Sequence, residues 1–427
     1  MTLNRAVPRR LEGLVLDQMQ VEPVIVLHGP RSVGKSTLLG RIAGRFGHEV
    51  IDLDDPAVRD AVAAGPSFAV GGAAPVFIDE YQHVPAVLDA IKAALNRDSR
   101  PGRFVITGST NYTTIPRAAQ SLTGRARILT VPPLSQCELA EPAARAGSDS
   151  FLDRLLDDPA GAAAPGPPAT TERLGYTARM LDGGFPIPLS RPPESRGAWF
   201  GNYVDLVVER DVLDIRRVRQ RDVLPRLLRR LASQTGQLVN VANAARAEGL
   251  EASVAGDYTR LLEAVFLLHR LPAWGSTLGS RVNVHPKIHL MDTGVGGWLL
   301  DLTLEAVTGR SPSALTEAGH LFESFLVNEL LTQLGWRSDA VRAGHYRTHD
   351  GHEVDLVLQL PGGEVVAVEI KAGERITATD AASLARLRDR LGPRFRGGLV
   401  LHTGPHAVEL GDRLFAAPAE RLWSPHP

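Results

Sequence analysis

The run Gly29-Pro30-Arg31-Ser32-Val33-Gly34-Lys35-Ser36-Thr37 constrains this chain more than any other stretch. It fits the spacing GxxxxGK[ST], follows the apolar run VIVLH (24–28) and opens the helical run STLLGRIAGRF. Strand, glycine-bearing turn and helix in that order are the context in which this spacing forms a phosphate-binding P-loop. Glycines let backbone N–H groups turn inward around phosphates, and the helix N-terminus adds partial positive charge. In that arrangement Lys35 reaches the β- and γ-phosphates of ATP, and the Ser36 hydroxyl ligates Mg²⁺. The bland alternative is a strand-to-helix turn that holds nothing.

Four further apolar runs, at 48–53, 75–79, 103–108 and 127–131, alternate with helical or loop stretches. That is the pattern of an α/β fold with a parallel sheet covered by helices. The run Val76-Phe77-Ile78 ends in Asp79 and Glu80, about 45 residues after the P-loop. Ligands sit at the C-terminal edge of such sheets. Asp79 is expected to hold Mg²⁺, and Glu80 to orient or deprotonate the attacking water. The next strand ends in Ser109, Thr110 and Asn111, where a polar side chain can sense the γ-phosphate or simply make a turn. Arg125 and Arg127 follow; either is an arginine finger, for its own or a neighbour's site, or both are surface residues. A finger reaching a neighbour requires a homo-oligomer.

The segments GPRSVGKSTLL, IDLDDPAVR, VFIDEYQHVP, FVITGSTN and SLTGRARILTVPPLSQCEL resemble a group of prokaryotic AAA-type P-loop ATPases. Members of that group carry a C-terminal region labelled as a domain of unknown function. The resemblance continues through GGFP (183–186), HPKIHLMDTG (285–294) and LFESFLVNELL. It implies an ATP-binding, ATP-hydrolysing enzyme, and it does not single out which arginine is the finger.

Residues 1–140 are read as the ATPase core and 141–222 as a helical lid or linker, with a flexible Pro/Ala/Gly-rich loop at 158–170. In 223–305, three short helices precede two strands, FLLHRLPAW and RVNVHPKIHLMD. This suggests a winged helix-turn-helix; a helical adaptor that touches only protein is the alternative. Seven arginines and only Asp222 among acids lie between Ile215 and Leu231, either a solvated face or a phosphate contact.

Residues 310–427 are read as a second α/β domain. HEVDLVLQL (352–360), a PGG turn and EVVAVEIK (364–371) form a hairpin. Val354, Leu356 and Leu358 are expected to share an apolar face with Val366, Val368 and Ile370. If the turn centres on Gly362, Asp355 falls opposite Glu369 on the other face, with Lys371 beside them. Opposed like charges destabilise a hairpin, and a Mg²⁺ held by Asp355 and Glu369 would remove that cost. Lys371 is placed to stabilise a developing charge on a phosphate or to lower the pKa of a water. The D…ExK arrangement resembles the PD-(D/E)xK nuclease fold, with Glu323 on the preceding helix as its extra acid. Val354 stands where the motif's name has proline. The resemblance implies metal-dependent DNA cleavage, or DNA binding by a domain that keeps its acids without cutting.

Bulk properties narrow the field. At 44% hydrophobic and 22% charged residues, the chain can bury a sizeable core. Net charge is −1, so nucleic acid is not drawn by bulk charge. Cys137 is the single cysteine, which excludes an internal disulfide and a cysteine zinc site. No run is long and apolar enough to span a membrane, so a cytoplasmic location without membrane partners is expected. Of 47 basic residues only Lys35, Lys92, Lys287 and Lys371 are lysines, and two of these fall in the motifs above. An alternative function is a nucleotide-gated binding or signalling switch.

Overall fold

The computed structural model describes residues 3, 6–110, 122, 124–140, 149–215, 222–275, 285–309 and 311–424. Asn111 and four arginines of the basic run, Arg216, Arg217, Arg219 and Arg221, lie outside the described residues.

The N-terminal sheet holds β1 (Val24–His28), β2 (Val50–Asp52), β3 (Val76–Asp79), β4 (Phe104–Gly108) and β5 (Ala126–Thr130), in the order β2-β3-β4-β1-β5. All its pairings are parallel. The inner strands β1, β3 and β4 are buried along their whole length, which is why they read as unbroken apolar runs, while the edge strands β2 and β5 are only partly buried. Ile25, Leu27, Phe77 and Val105 enter one core, and Val24, Val26, Ile78, Phe104 and Ile106 enter the other. On the second side Val87, Leu88, Ile91 and Leu95 of helix Ala86–Arg97 cover the sheet, at the 3–4 residue spacing of one helix face.

Helices Val223–Ala232, Val241–Ala247 and Ala252–Ala264 follow, with β6 (Gln237–Leu238), β7 (Leu268–Leu271) and β8 (Lys287–Leu290). These strands make an antiparallel sheet, β6-β8-β7.

The C-terminal part is a separate, sheet-rich unit. Helix Pro312–Leu334 leads into β9 (Arg342–Arg347), β10 (Glu353–Gln359) and β11 (Val365–Lys371). Helix Ala382–Leu391, β12 (Phe395–His402), β13 (Val408–Gly411) and β14 (Leu414–Pro418) complete it. Strand order is β13-β14-β12-β11-β10-β9, with β11 and β12 parallel.

The segment 158–170, read as a flexible loop, is exposed over 164–168 and anchored at a few points on either side. Pro159 fills the space above Gly397, whose added Cβ would lie 2.5 Å from the proline ring. Arg421 donates to the Ala162 carbonyl at 3.0 Å, and the Ala169 amide donates to Pro405 at 2.8 Å. Small residues permit close contact at those points. Val354 does not share a face with Leu356 and Leu358: it joins the opposite core with Val357, Val365 and Ala367. The register between β9 and β10 shifts between Val354 and Val357, and such a bulge reverses the alternation.

Candidate functional site

The P-loop is built by two left-handed residues. Ser32 has φ 63° and Gly34 has φ 93°. Gly34 caps helix Lys35–Phe46, where a side chain would be strained. Gly29 is required for another reason: a Cβ there would sit 2.2 Å from the Val131 carbonyl oxygen. Lys35 is 4% exposed, and its ammonium donates to the carbonyls of Gly29 at 3.1 Å and Pro30 at 2.8 Å. Burial lowers its pKa; the acidic side chains of Glu80 and Asp79 oppose that shift. Its hydrogen-bond partners are neutral carbonyls, which phosphate oxygens can replace. Ser36 and Thr37 are exposed at the helix start, and Val33 is buried beneath the loop.

Parallel pairing brings Asp79, Glu80 and Ser109 to the same sheet edge. Asp79 accepts from the Thr107 hydroxyl and from the Glu80 amide at 3.2 Å. Glu80 is left-handed at φ 50° and 8% exposed. Strain of that kind gathers at functional sites. Gln82 Nε2 donates to the Glu80 carboxylate and to Ser109 Oγ, the latter at 3.0 Å. One amide therefore ties the expected water-activating acid to the expected γ-phosphate sensor.

Arg125 is placed elsewhere. It directly precedes β5, whose Ala126 pairs with Val24 at the far end of β1 from the P-loop. Five strand residues separate the two edges, roughly 17 Å, and Arg125 Nη1 donates to Asn96 Oδ1 at 2.7 Å. It does not reach its own P-loop, which leaves a role toward a neighbour's site or a surface arginine bonded to Asn96.

Three contacts at the P-loop carry no motif. Arg9 donates to the Val33 carbonyl at 2.9 Å, to Pro132 at 2.8 Å and to Glu138 at 3.0 Å. Arg31 Nε donates to both oxygens of Asp211, at 2.9 and 2.7 Å. Burial works against the Arg31 charge, and Asp211 more than offsets it, so the pKa is raised. His28, at the end of β1, bonds Thr130 Oγ1 at 2.8 Å and meets the Phe266 ring edge-on at 5.1 Å. Burial, then nearby Lys35, lower the His28 pKa to about 4, so the ring is neutral.

The C-terminal hairpin pairs Leu356 with Val368, which sets Asp355 against Glu369 one step outward. Glu323, Asp355, Glu369 and Lys371 line one pocket of about 550 Å³ with Glu353 and Arg347. Lys371 Nζ donates to Glu369 Oε1 at 2.7 Å. Burial, then Asp355, push the Glu369 carboxyl up to about 8. Lys287 was not anticipated as a site residue. It reaches in from β8, 1% exposed, with Nζ 2.7 Å from Glu323, 2.8 Å from Asp355 and 2.5 Å from Glu353. The scarcity of lysine was the one signal that marked it.

Residues 21–140 match a family model described as AAA domain. Residues 173–306 and 318–422 match two models, each described as a domain of unknown function. Two uncharacterized proteins, one of Mycobacterium bovis and one of Mycobacterium tuberculosis, are each 27% identical over 403 residues. The alignments cover 94% of this chain and 81% of each relative. Among solved structures, a Walker-type ATPase of Pyrococcus abyssi is 13% identical with TM-score 0.41, covering 70% of this chain and 99% of that one. The RuvB Holliday junction branch migration motor of Thermotoga maritima is 18% identical with TM-score 0.29, covering 64% and 92%. No described helix is long and apolar enough to cross a membrane. The AAA-domain match, laid on the P-loop and the acidic strand end, supports an AAA-type P-loop ATPase in the N-terminal part of this chain.

Proposed function

We propose that the chain is an ATP-hydrolysing switch that couples its nucleotide state to DNA binding or metal-dependent DNA cleavage by its C-terminal domain. The observation that carries the coupling is the Arg31–Asp211 pair. Arg31 lies inside the phosphate-binding loop, and Asp211 lies beyond the AAA match, within the region 173–306. Phosphates arriving at the loop compete with Asp211 for one guanidinium, so occupancy is felt by the following module.

The residues at the P-loop suit Mg²⁺–ATP. Ser36 and Asp79 would hold the metal, and the loop 29–37 would hold the phosphates. Bound Mg²⁺ supplies charge neutralisation for the transferring phosphoryl group. Glu80, held by Gln82, takes a proton from water, and Ser109 reports on the γ-position. For the C-terminal half, the convergence of Asp355, Glu369, Lys371 and Glu323 in one pocket supports a nuclease-like domain. The three helices and three-stranded sheet before it support a winged helix.

A second reading is a nucleotide-gated module whose C-terminal domain binds without cutting. Lys287 among the same carboxylates favours it.

Glu80→Gln should bind ATP and fail to hydrolyse it, trapping the loaded state. Fluorescence anisotropy with labelled duplex and single-stranded DNA then compares trapped and nucleotide-free protein at two salt concentrations. A several-fold difference in DNA affinity is expected. Equal affinity in both states, or none in either, would sink the coupling to DNA.

A further inference from the structure

In the C-terminal pocket the carboxylate oxygens are nearly all engaged. Asp355 Oδ1 is on Lys287, and Oδ2 accepts from the Ile370 amide at 2.9 Å. Glu323 Oε1 is on Lys287, and its Oε2 faces Gly236, where an added Cβ would come within 3.2 Å. Glu353 is divided between Lys287 and Arg347 Nη1, the latter at 2.8 Å. Glu369 Oε1 is on Lys371. Among the described residues this leaves two open oxygens: Glu369 Oε2, buried and without a hydrogen-bond partner, and Glu323 Oε2, beside Gly236. Glu369 itself is 7% exposed.

Mg²⁺ takes about six oxygen ligands and keeps several waters, but it is anchored by one or two carboxylates that are free to bind it. Asp355, the central acid, has both oxygens engaged, by Lys287 and by the Ile370 amide. The carboxylates that would complete the set, Asp355 and Glu323, already share the Lys287 ammonium. Lys287 is 1% exposed and stands on β8, which is paired on one side with β6 and on the other with β7. Among the described residues no group of three or more acids, histidines or cysteines has the geometry of a metal cage. As it stands, the donor set therefore does not fit the Mg²⁺ that the D…ExK pattern implies.

We infer that Lys287 Nζ is the resident cation of this pocket, occupying the position among Asp355, Glu323 and Glu353 that a divalent metal would otherwise take. The C-terminal domain then holds its ligand without a metal, and the sheet β6-β8-β7 supplies the charge that silences the nuclease-like carboxylates. The inference takes the nuclease-like reading of the pocket as its premise. It resolves that reading toward binding without cleavage.

The test is a Mn²⁺ titration of nucleotide-free, full-length protein, followed by the electron-paramagnetic-resonance signal of free Mn²⁺. Wild type, Asp355→Asn, Lys287→Met and the double variant are compared. Expected is no Asp355-dependent Mn²⁺ equivalent in wild type, one added equivalent in Lys287→Met, and its loss in the double variant. An Asp355-dependent equivalent in wild type would overturn the inference. So would a Lys287→Met protein that melts cooperatively, keeps its ATPase activity and gains no equivalent. If Lys287→Met does not fold, the comparison of wild type with Asp355→Asn decides alone. No DNA or ATP enters the titration, so failure of the proposed DNA coupling leaves its result standing.

Discussion

Asp211→Asn is the perturbation that probes the link between the nucleotide loop and the rest of the chain. The Asp211 side chain is 3% exposed, and that of Arg31 is 21% exposed. Asparagine keeps the shape and one acceptor and removes the charge. Charge-assisted hydrogen bonds contribute roughly 1.5–3 kcal/mol, and partial exposure of Arg31 screens that toward about 1–2 kcal/mol. The melting midpoint should fall by roughly 1–2 °C for a chain of this size, read by scanning calorimetry. Two functional readouts should move with it. ATP should bind a few-fold more tightly, because Arg31 meets the phosphates without a competing carboxylate. The difference in DNA affinity between loaded and empty protein should shrink, because Asp211 no longer registers occupancy. If the midpoint holds and ATP still shifts DNA affinity as in wild type, the pair is ornamental and the coupling runs elsewhere.

Lys35→Ala should lose tight ATP binding, since the loop loses its buried cation; unchanged affinity for a fluorescent ATP analogue would refute the P-loop assignment. Arg125→Ala should lower turnover without weakening ATP binding, and mixing it with Lys35→Ala protein should restore part of the activity through composite sites. No recovery, with the protein monomeric by sedimentation, counts against a finger in trans. Glu329 is buried, and burial raises its pKa to about 8 while the Gln136 amide opposes the shift. Its folded value lies above its unfolded one, so its contribution is complete below roughly pH 4.3 and is lost as pH rises through 8. Melting temperature should therefore fall between pH 5 and 8 in wild type and fall less in Glu329→Gln; parallel profiles would refute the assignment.

What could be read in the sequence was local, or fixed by a turn. Strand, glycine turn and helix sit within 25 residues of each other around Lys35, so spacing alone identified the loop. The hairpin was legible because a short turn sets its register, and Leu356 against Val368 is the pairing that a centre at Gly362 requires. The faces were less legible. One bulge moved Val354 to the other side of the sheet, and neither residue type nor alternation announces a bulge. Small residues serve mobile linkers and close packing equally well, so composition did not show which points of 158–170 are anchored. Asp211, Lys287 and Glu329 were missed for one common reason: their partners lie 180, 68 and 193 residues away.

The boundaries placed along the chain separate sheets and yet do not separate cores. One apolar cluster runs from Leu11 through Leu227, Leu262 and Phe325 to Trp423. Helix Pro312–Leu334 explains how. Glu323 faces the carboxylate pocket, and Ser324 bonds Thr235 and His289 at 2.8 and 2.9 Å. Glu329 takes the amide that begins helix Gln136–Ala140, just after β5, and Gln333 bonds the Leu152 amide and the Leu422 carbonyl. Ten residues of helix, about 15 Å at 1.5 Å each, thus contact the nucleotide-binding part, the three-helix part and the C-terminal sheet. Each contact is a buried polar group that costs free energy if its partner withdraws. A displacement of the ATPase part relative to this helix must therefore be shared with the other two or break those bonds. For that reason the helix is a better boundary marker than any linker: modules meet along it, and each contributes to the one large core that it lines.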